Sequence, residues 1–299
     1  RRSPNSGADR SVILLFEVPV AAFYVFLMTA QPTLTDPKAL AHRRARATGR
    51  GMFLQQAAAD EVQDRVGLVK KAFTAPAIVT AFPQVWAAAF PEAQIIPDAE
   101  VLALEPQAHD LVIHAMGLHW ANDPIGQLIQ CRRALRPDGL LHAVALGGQT
   151  LHELRACLGQ AEAEVTGGLS PRIAPMGELR DLGALLQRAG LALPVADSQP
   201  LTVEYDDAWA LMRDLREMGE TNALQARLRR PTGRAVLTRA AELYATHFTA
   251  ASGRVTATFD MIFLAGWAPD ESQQKPLRPG SAQQRLADAL NSREEQLPD

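Results

Sequence analysis

The sequence predicts an α/β fold assembled around one strand–helix–strand unit, and three observations carry that reading. Residues 111–116 (LVIHAM) form a short apolar run, and residues 140–146 (LLHAVAL) form a second. Between them Ile125, Leu128, Ile129 and Leu135 fall on one face of a helical pattern, which follows the turn Asn122-Asp123-Pro124 and stops at Arg136-Pro137-Asp138-Gly139. A short apolar run bounded by turn residues reads as a buried strand. Two such strands joined through a helix lie parallel, with a right-handed crossover. With 299 residues, 47% of them hydrophobic, the chain can bury a full core as one large or two small domains.

Composition removes several function classes. Thirty basic against thirty-three acidic side chains give a net charge of −3, so no global attraction to nucleic acid is expected. Cys131 and Cys157 sit on different predicted helices without Cys-x-x-Cys spacing, which points to neither a zinc ribbon nor a disulfide framework. The seven histidines (42, 109, 114, 119, 142, 152 and 247) show no H-E-x-x-H and no carboxylate at ligand spacing. No zinc or other metal is therefore expected. The nucleophile elbow G-x-S-x-G and the P-loop G-x-x-x-x-G-K-[ST] are both missing from the sequence.

The remaining elements follow in order. Residues 12–28 are mostly apolar behind a basic start, but Glu17 and Pro19 interrupt them, so residues 1–27 are set apart as sequence foreign to the native product or as a targeting segment. Arg43, Arg44 and Arg46 belong to a basic run over 42–50 that reads as a solvated helix face, or as a contact with an acidic protein or membrane surface; membrane contact is then peripheral at most. Leu54, Ala58, Val62, Val66 and Val69 predict a helix over 52–73. A strand follows at 77–80, then Ala81-Phe82-Pro83-Gln84, then a second strand at 93–97 that ends in Asp98-Ala99-Glu100. Beyond the central unit, Leu151, Leu154, Leu158 and Ala161 predict a helix over 151–165, and the glycines and prolines of 167–175 a loop. A helix over 178–190 turns Leu179, Leu182 and Leu186 inward, and 191–205 reads as one strand or a broken pair. Ala208, Leu211, Met212, Leu215 and Met218 form a core-facing helix closed by Gly219. A further helix over 231–248 and a strand over 255–267 complete the chain, and residues 270–299 read as a mobile tail.

The motifs LHWANDPIGQL, ALRPDGLLHAVALGGQTLHELR, GGLSPRIAP, DLGALLQRAG, LMRDLREMGETNA and GWAPDESQQKPLRPGSA occur in one order between residues 98 and 282. Together they look like the methyltransferase-like assembly factors of respiratory complex I, within the class I, type 11, S-adenosylmethionine-dependent methyltransferases. Asp110, the aromatic pair His119-Trp120 and the turn 135–139 match the second half of that fold. The resemblance implies a Rossmann-like class I methyltransferase fold, shortened in its first half and carrying helical additions. It divides the chain into an N-terminal helical segment (28–76) and a methyltransferase-like domain (77–269) with a helical insertion (206–250). The last strand would pair antiparallel with the one before it.

Two departures stand out. The loop after the first strand lacks the glycines of D/E-x-G-x-G-x-G, which let the backbone approach the cofactor. Between Trp86 and His109 only one strand fits, so a strand–helix unit is missing, and with it the acid that binds the ribose. Asp98 is then expected beside the adenine, or as a turn cap.

Ligands in this fold bind at the carboxyl ends of the strands. The resemblance thus assigns Thr80, Ala81, Asp98, Ala99, Met116, Leu118 and Trp120 to S-adenosylmethionine. His119 is the catalytic candidate from its titration range, or else a hydrogen-bonded spacer. Trp120 walls an adenine or a substrate, or simply covers the strand end. Thr150, Glu153, Arg155, Ser170, Arg172, Glu220 and Asn222 lie at element ends, where binding residues concentrate. The resemblance makes them a mouth for a protein or quinone-like partner such as a complex I subunit, while Thr150 and Glu153 also fit a capping box. Two functions stay open. One is methyl transfer or a related modification of a protein, some members being described as hydroxylating an arginine. The other is a non-catalytic pseudo-methyltransferase acting as an assembly chaperone. An open pocket beside Thr80 and Asp98 favours the first; Phe82 and Trp86 filling it favours the second. The expected compartment is the cytoplasm.

Overall fold

A six-stranded sheet in the order β2-β1-β3-β4-β6-β5 organises the chain. The computed structural model describes residues 33–274, so the expectations for 1–27 and for most of the tail lie outside the described residues. Strands β1 (Pro76–Thr80), β2 (Gln94–Pro97), β3 (His109–Ala115) and β4 (Leu135–Gly147) run parallel. Strand β6 (Val255–Trp267) lies antiparallel between β4 and β5 (Ala192–Tyr205), as expected for the last strand. This is a Rossmann-like sheet with a reversed strand near one edge and a shortened first half.

Burial follows the pattern that parallel strands require. Every residue of β3 is buried, because helices cover both faces. Alternate side chains divide between two cores: Leu111, Ile113 and Ala115 join one, Val112 the other. The first core packs under α2 (Phe53–Gly67), α3 (Pro83–Ala89), α5 (His152–Thr166), α7 (Ala208–Glu217) and α8 (Arg234–His247). The second packs under α4 (Pro124–Ala134) and α6 (Leu179–Arg188). Helix α4 starts where its sequence says it should, with Pro124 in the first turn and the Asp123 side chain accepting from Gly126 N at 2.8 Å. Asp110 at the head of β3 accepts from Thr74 N and Oγ1 and from Ala75 N, tying that strand to the approach of β1.

Two local expectations are corrected, and a third is decided between its alternatives. Residues 136–139 form a bulge within β4 rather than a turn before it: pairing starts at His109–Leu135, then jumps to Leu111–Leu140. Asp138 takes φ 58° there, and Lys71 anchors its carboxylate at 2.7 Å. The 191–205 run is one strand with an irregularity at Leu193 (φ 48°), so the broken pair is not formed. The capping box does not form either. Helix α5 has Leu151 at its cap position with no side-chain hydrogen bond. Thr150 Oγ1 donates to Gly147 O and accepts from Asp260 N, while Glu153 accepts from Thr258 Oγ1. Strand β6 has taken both side chains that the helix was expected to use.

The short helix α1 (Pro37–Arg44) buries none of its own residues, yet it is fixed across the strand ends. Asn122 accepts from Leu34 N and Thr35 N, and Asp36 pairs with Arg227 and Arg229 at 3.0 Å. The Ala39 amide, then the two arginines, hold the Asp36 carboxyl down to about 2. Arg46 and Arg50 are exposed, as a solvated basic face requires, but Arg44 turns inward. Among the described residues no helix is long and apolar enough to cross a membrane.

Candidate functional site

Two cavities open at the carboxyl ends of the parallel strands. The first, of about 440 Å³, is lined by Thr80, Ala81, Asp98, Ala99 and Gly117 from the strand ends, by Gln127 from α4, and by Pro37, Leu40, Ala41 and Arg44 from α1. The second, of about 360 Å³, has apolar walls from Leu146, Leu151, Leu154, Ile173, Met176 and Phe259. Glu220 and Asn222 line it too, together with Arg43, Arg172 and Arg230. Trp120 lines both.

The first cavity centres on Asp98. Because β2 pairs directly with β1, from Ala77–Gln94 to Thr80–Pro97, Asp98 stands at the end of the strand beside β1. Arg44 Nη1 reaches Asp98 Oδ2 at 2.7 Å. A Cβ on Gly117 would lie 2.5 Å from that same oxygen, so only glycine leaves the carboxylate where it is. Beneath it, fully buried His114 hydrogen-bonds through Nε2 to Gln127 Oε1, and Gln127 Nε2 donates to Ala99 O at 3.0 Å. Burial lowers the His114 pKa, so the ring is the neutral Nε2–H tautomer that donates to the amide oxygen.

Phe82 and Trp86 do not fill this cavity. Both are buried in the core shared with α2, where Trp86 Nε1 donates to Gln55 Oε1 at 2.9 Å. Thr80 Oγ1 accepts from Phe82 N at 3.0 Å, which closes the glycine-free loop on itself.

The second site centres on Glu220. Gly219 ends α7 with φ 80°, and Glu220 N then donates to Leu215 O at 3.0 Å, which aims the side chain back toward β3. Glu220 Oε2 accepts from Trp120 Nε1 at 2.6 Å and lies 3.2 Å from His119 Nε2; Oε1 is buried without a partner. Burial pushes the Glu220 carboxyl up, but the His119 ring, the Arg44 charge and the Trp120 hydrogen bond outweigh it and leave it below the ordinary range.

The structure thus gathers part of each expected set. Thr80, Ala81, Asp98, Ala99 and Trp120 share the first cavity. Met116 and Leu118 do not reach it: Met116 takes φ 53° and buries into the first core, and Leu118 buries into the second. Ser170, Arg172, Glu220 and Asn222 line the second cavity. Thr150 and Glu153 are buried against β6, and Arg155 is exposed, reaching only Ala174 O at 3.5 Å. His119 lines neither cavity; its Nδ1 accepts from Leu146 N at 3.4 Å and its Nε2 faces Glu220. Sequence reading missed Arg44, Gly117 and Gln127. Arg44 carried a signal in its basic run, but that run looked like surface. Among the described residues no three His, Cys, Asp or Glu side chains are grouped to hold a metal ion.

Residues 47–143 match the family model described as a methyltransferase domain, which gives the class of that stretch. Over 195 residues, 64% of this chain, the sequence is 38% identical to the arginine-hydroxylase NDUFAF5, mitochondrial, of Homo sapiens, and covers 55% of it. The protein of that name from Dictyostelium discoideum is 38% identical over 63% of this chain and 43% of its own length. A malonyl-[acyl-carrier protein] O-methyltransferase of Laribacter hongkongensis is 34% identical over 63% of this chain and 61% of its own. The chain therefore spans about half the length of the relatives it matches. Its expected cytoplasmic location is overturned by the NDUFAF5 relatives, all of them mitochondrial proteins by name.

Proposed function

We propose that the chain is a methyltransferase-like modifying enzyme of the respiratory complex I assembly type, which seats S-adenosylmethionine in the Asp98 cavity and an arginine side chain of a protein partner in the Glu220 cavity. The observation that carries this reading is the carboxylate of Glu220, the one acidic group lining a cavity with apolar walls among the described residues, with one oxygen buried and unpartnered. Such an oxygen is costly unless a donor meets it, and a guanidinium supplies two donors in a fixed fork. The NDUFAF5 relatives bear arginine in their name, and the seat described here has the chemistry to receive that side chain.

The residues of the first cavity suit a nucleoside. Asp98 can accept from ribose hydroxyls, Gly117 leaves the space for it, and the Trp120 indole offers a flat apolar wall. Arg44, whose Nε and Nη2 have no partner, is the cation at hand for the ligand's carboxylate once its bond to Asp98 opens. S-adenosylmethionine, when bound, supplies an electrophilic methyl group. The chain's own part is to hold two ligands in contact and dry, which is where most of the rate in such a transfer arises. His119, with both nitrogens engaged, acts in this reading by positioning Glu220 rather than by touching substrate. Phe82 and Trp86 staying in the core supports a ligand cavity over a filled scaffold.

Calorimetric titration of S-adenosylmethionine into the full chain tests the first seat, with micromolar binding that Asp98→Ala abolishes as the expected result. Mass spectrometry of an arginine-containing partner peptide then distinguishes an added methyl group from an added oxygen. A folded protein that gives no heat at millimolar ligand overturns the reading.

A further inference from the structure

Among the described residues Trp120 is the one common to the two cavities, so its indole is the wall between them. The ring is buried at the end of a 3-10 turn (Leu118–Trp120) that follows β3. Half of its buried and partly buried apolar neighbours are alanines, with Ala39, Ala174 and Ala223 beside Leu40, Met176 and Leu224. A ring set against alanines is less interlocked than one set among branched side chains. What fixes its orientation is the hydrogen bond from Nε1 to Glu220 Oε2 at 2.6 Å. That same oxygen also serves His119, and Glu220 has only one other. Helix α1 spans the partition as well. Consecutive residues diverge there, with Arg43 lining the Glu220 cavity and Arg44 the Asp98 cavity.

We propose that Trp120 is a gating and positioning residue that couples the two cavities through Glu220. The inference rests on the reading of those cavities as cofactor and acceptor seats. A guanidinium that takes both Glu220 oxygens competes directly with the indole N–H. An indole N–H left buried without an acceptor is unfavourable, so the ring turns to find another partner. Turning removes the wall. The two ligands then meet only after the acceptor is seated, and until that moment the cofactor seat is screened from water and from wrong acceptors. Because coupling between two sites is reciprocal, each ligand must alter the affinity of the other by the same factor.

The test uses the full chain with S-adenosylhomocysteine and L-argininamide as probes. Each is titrated calorimetrically alone and then against the protein saturated with the other. The expected result is that each probe binds about fivefold tighter, or better, when the other is present. Trp120→Phe keeps the ring and removes the donor, and the factor falls to one although both probes still bind. A factor of one in the unaltered protein, or a factor that survives Trp120→Phe, overturns the gate. So does L-argininamide failing to bind a protein that binds S-adenosylhomocysteine. No binding of S-adenosylhomocysteine overturns the underlying two-seat reading and the gate with it, a pattern distinct from binding without coupling. If circular dichroism shows that Trp120→Phe does not fold, Glu220→Gln carries the test, since its amide oxygen still holds the indole but no longer attracts a cation. L-argininamide, raised to saturation at its weaker affinity, should then leave S-adenosylhomocysteine affinity unchanged, and coupling retained in that variant overturns the gate.

Discussion

The guanidinium of Arg44 and the carboxylate of Asp98 meet at 2.7 Å across 54 residues of sequence, each side chain only 9% exposed. The pair ties α1 to the end of β2 and closes one side of the first cavity. Removing one partner of a buried pair strands the other charge, which costs more than the pair itself contributes. Arg44→Ala is expected to lower stability by about 2–3 kcal/mol, below the deep-core range because the pair borders a cavity. Asp98→Asn should do the same. The double variant should lose less than the sum of the two, since the second change removes the stranded charge. Urea unfolding of the three variants measures this, and strict additivity would show that the pair is not coupled.

Local patterns carried most of the fold, and long-range pairings carried what the sequence hid. The apolar runs of β3 and β4 and the Asp123-Pro124 start of α4 are set by neighbours within a few residues, so they could be read directly. Thr150 and Glu153 have the spacing of a capping box, but Asp260 and Thr258 on a strand more than a hundred residues away compete for them and win. Trp120 could be recognised as a wall from its place at a strand end; that it walls two cavities depends on Glu220, a hundred residues on. The resemblance assigns Met116 and Leu118 to the rim at the carboxyl end of β3. The backbone turns left-handed at Met116, and the two side chains lie in opposite cores.

Gly117→Ala isolates one steric demand of the first cavity. The backbone there has φ −117°, which any residue adopts, so the substitution introduces no backbone strain. Its Cβ, however, would stand 2.5 Å from Asp98 Oδ2 and must push the carboxylate off Arg44. The variant should fold, with S-adenosylmethionine affinity reduced at least about tenfold, equivalent to 1.4 kcal/mol. Calorimetry checks it, and an unchanged affinity would place the ligand away from Asp98.

Acid should destabilise the protein before its exposed carboxylates titrate. Burial, then the neighbouring Arg65 charge, lowers the His142 pKa to about 4. In the unfolded chain the ring takes up a proton near its ordinary pKa, whereas the native ring resists until about 4. The unfolded state therefore binds more protons between those two values, and stability falls as pH drops through that window, by roughly 3 kcal/mol from His142, with buried His114 contributing in the same direction. Glu220 and Asp110, both held below the ordinary carboxylate range, add losses at still lower pH as they are forced to protonate. Urea midpoints between pH 7 and pH 4 should show the slope, and His142→Leu should flatten its upper part.

Glu162 holds the loop that walls the second cavity. It accepts from Ser170 N and Oγ and receives Arg172 in a two-pronged contact, with Nε at 2.9 Å and Nη2 at 2.6 Å. Arg172 Nη1 continues to Thr232 Oγ1 at 2.8 Å, so one carboxylate fastens residues 170–172 to α5 and to the approach of α8. The Arg172 hydrogen bond, more than any other contact, holds the Glu162 carboxyl below its ordinary range. Glu162→Ala leaves the guanidinium without its charge-assisted bonds, each worth about 1.5–3 kcal/mol in comparable settings, and frees the loop. The variant should be cut faster by trypsin at Arg172 and should bind L-argininamide more weakly, with S-adenosylhomocysteine affinity little changed. Faster cleavage with equal loss at both seats would mean that the loop supports the whole strand-end region and is not a wall of the Glu220 cavity alone.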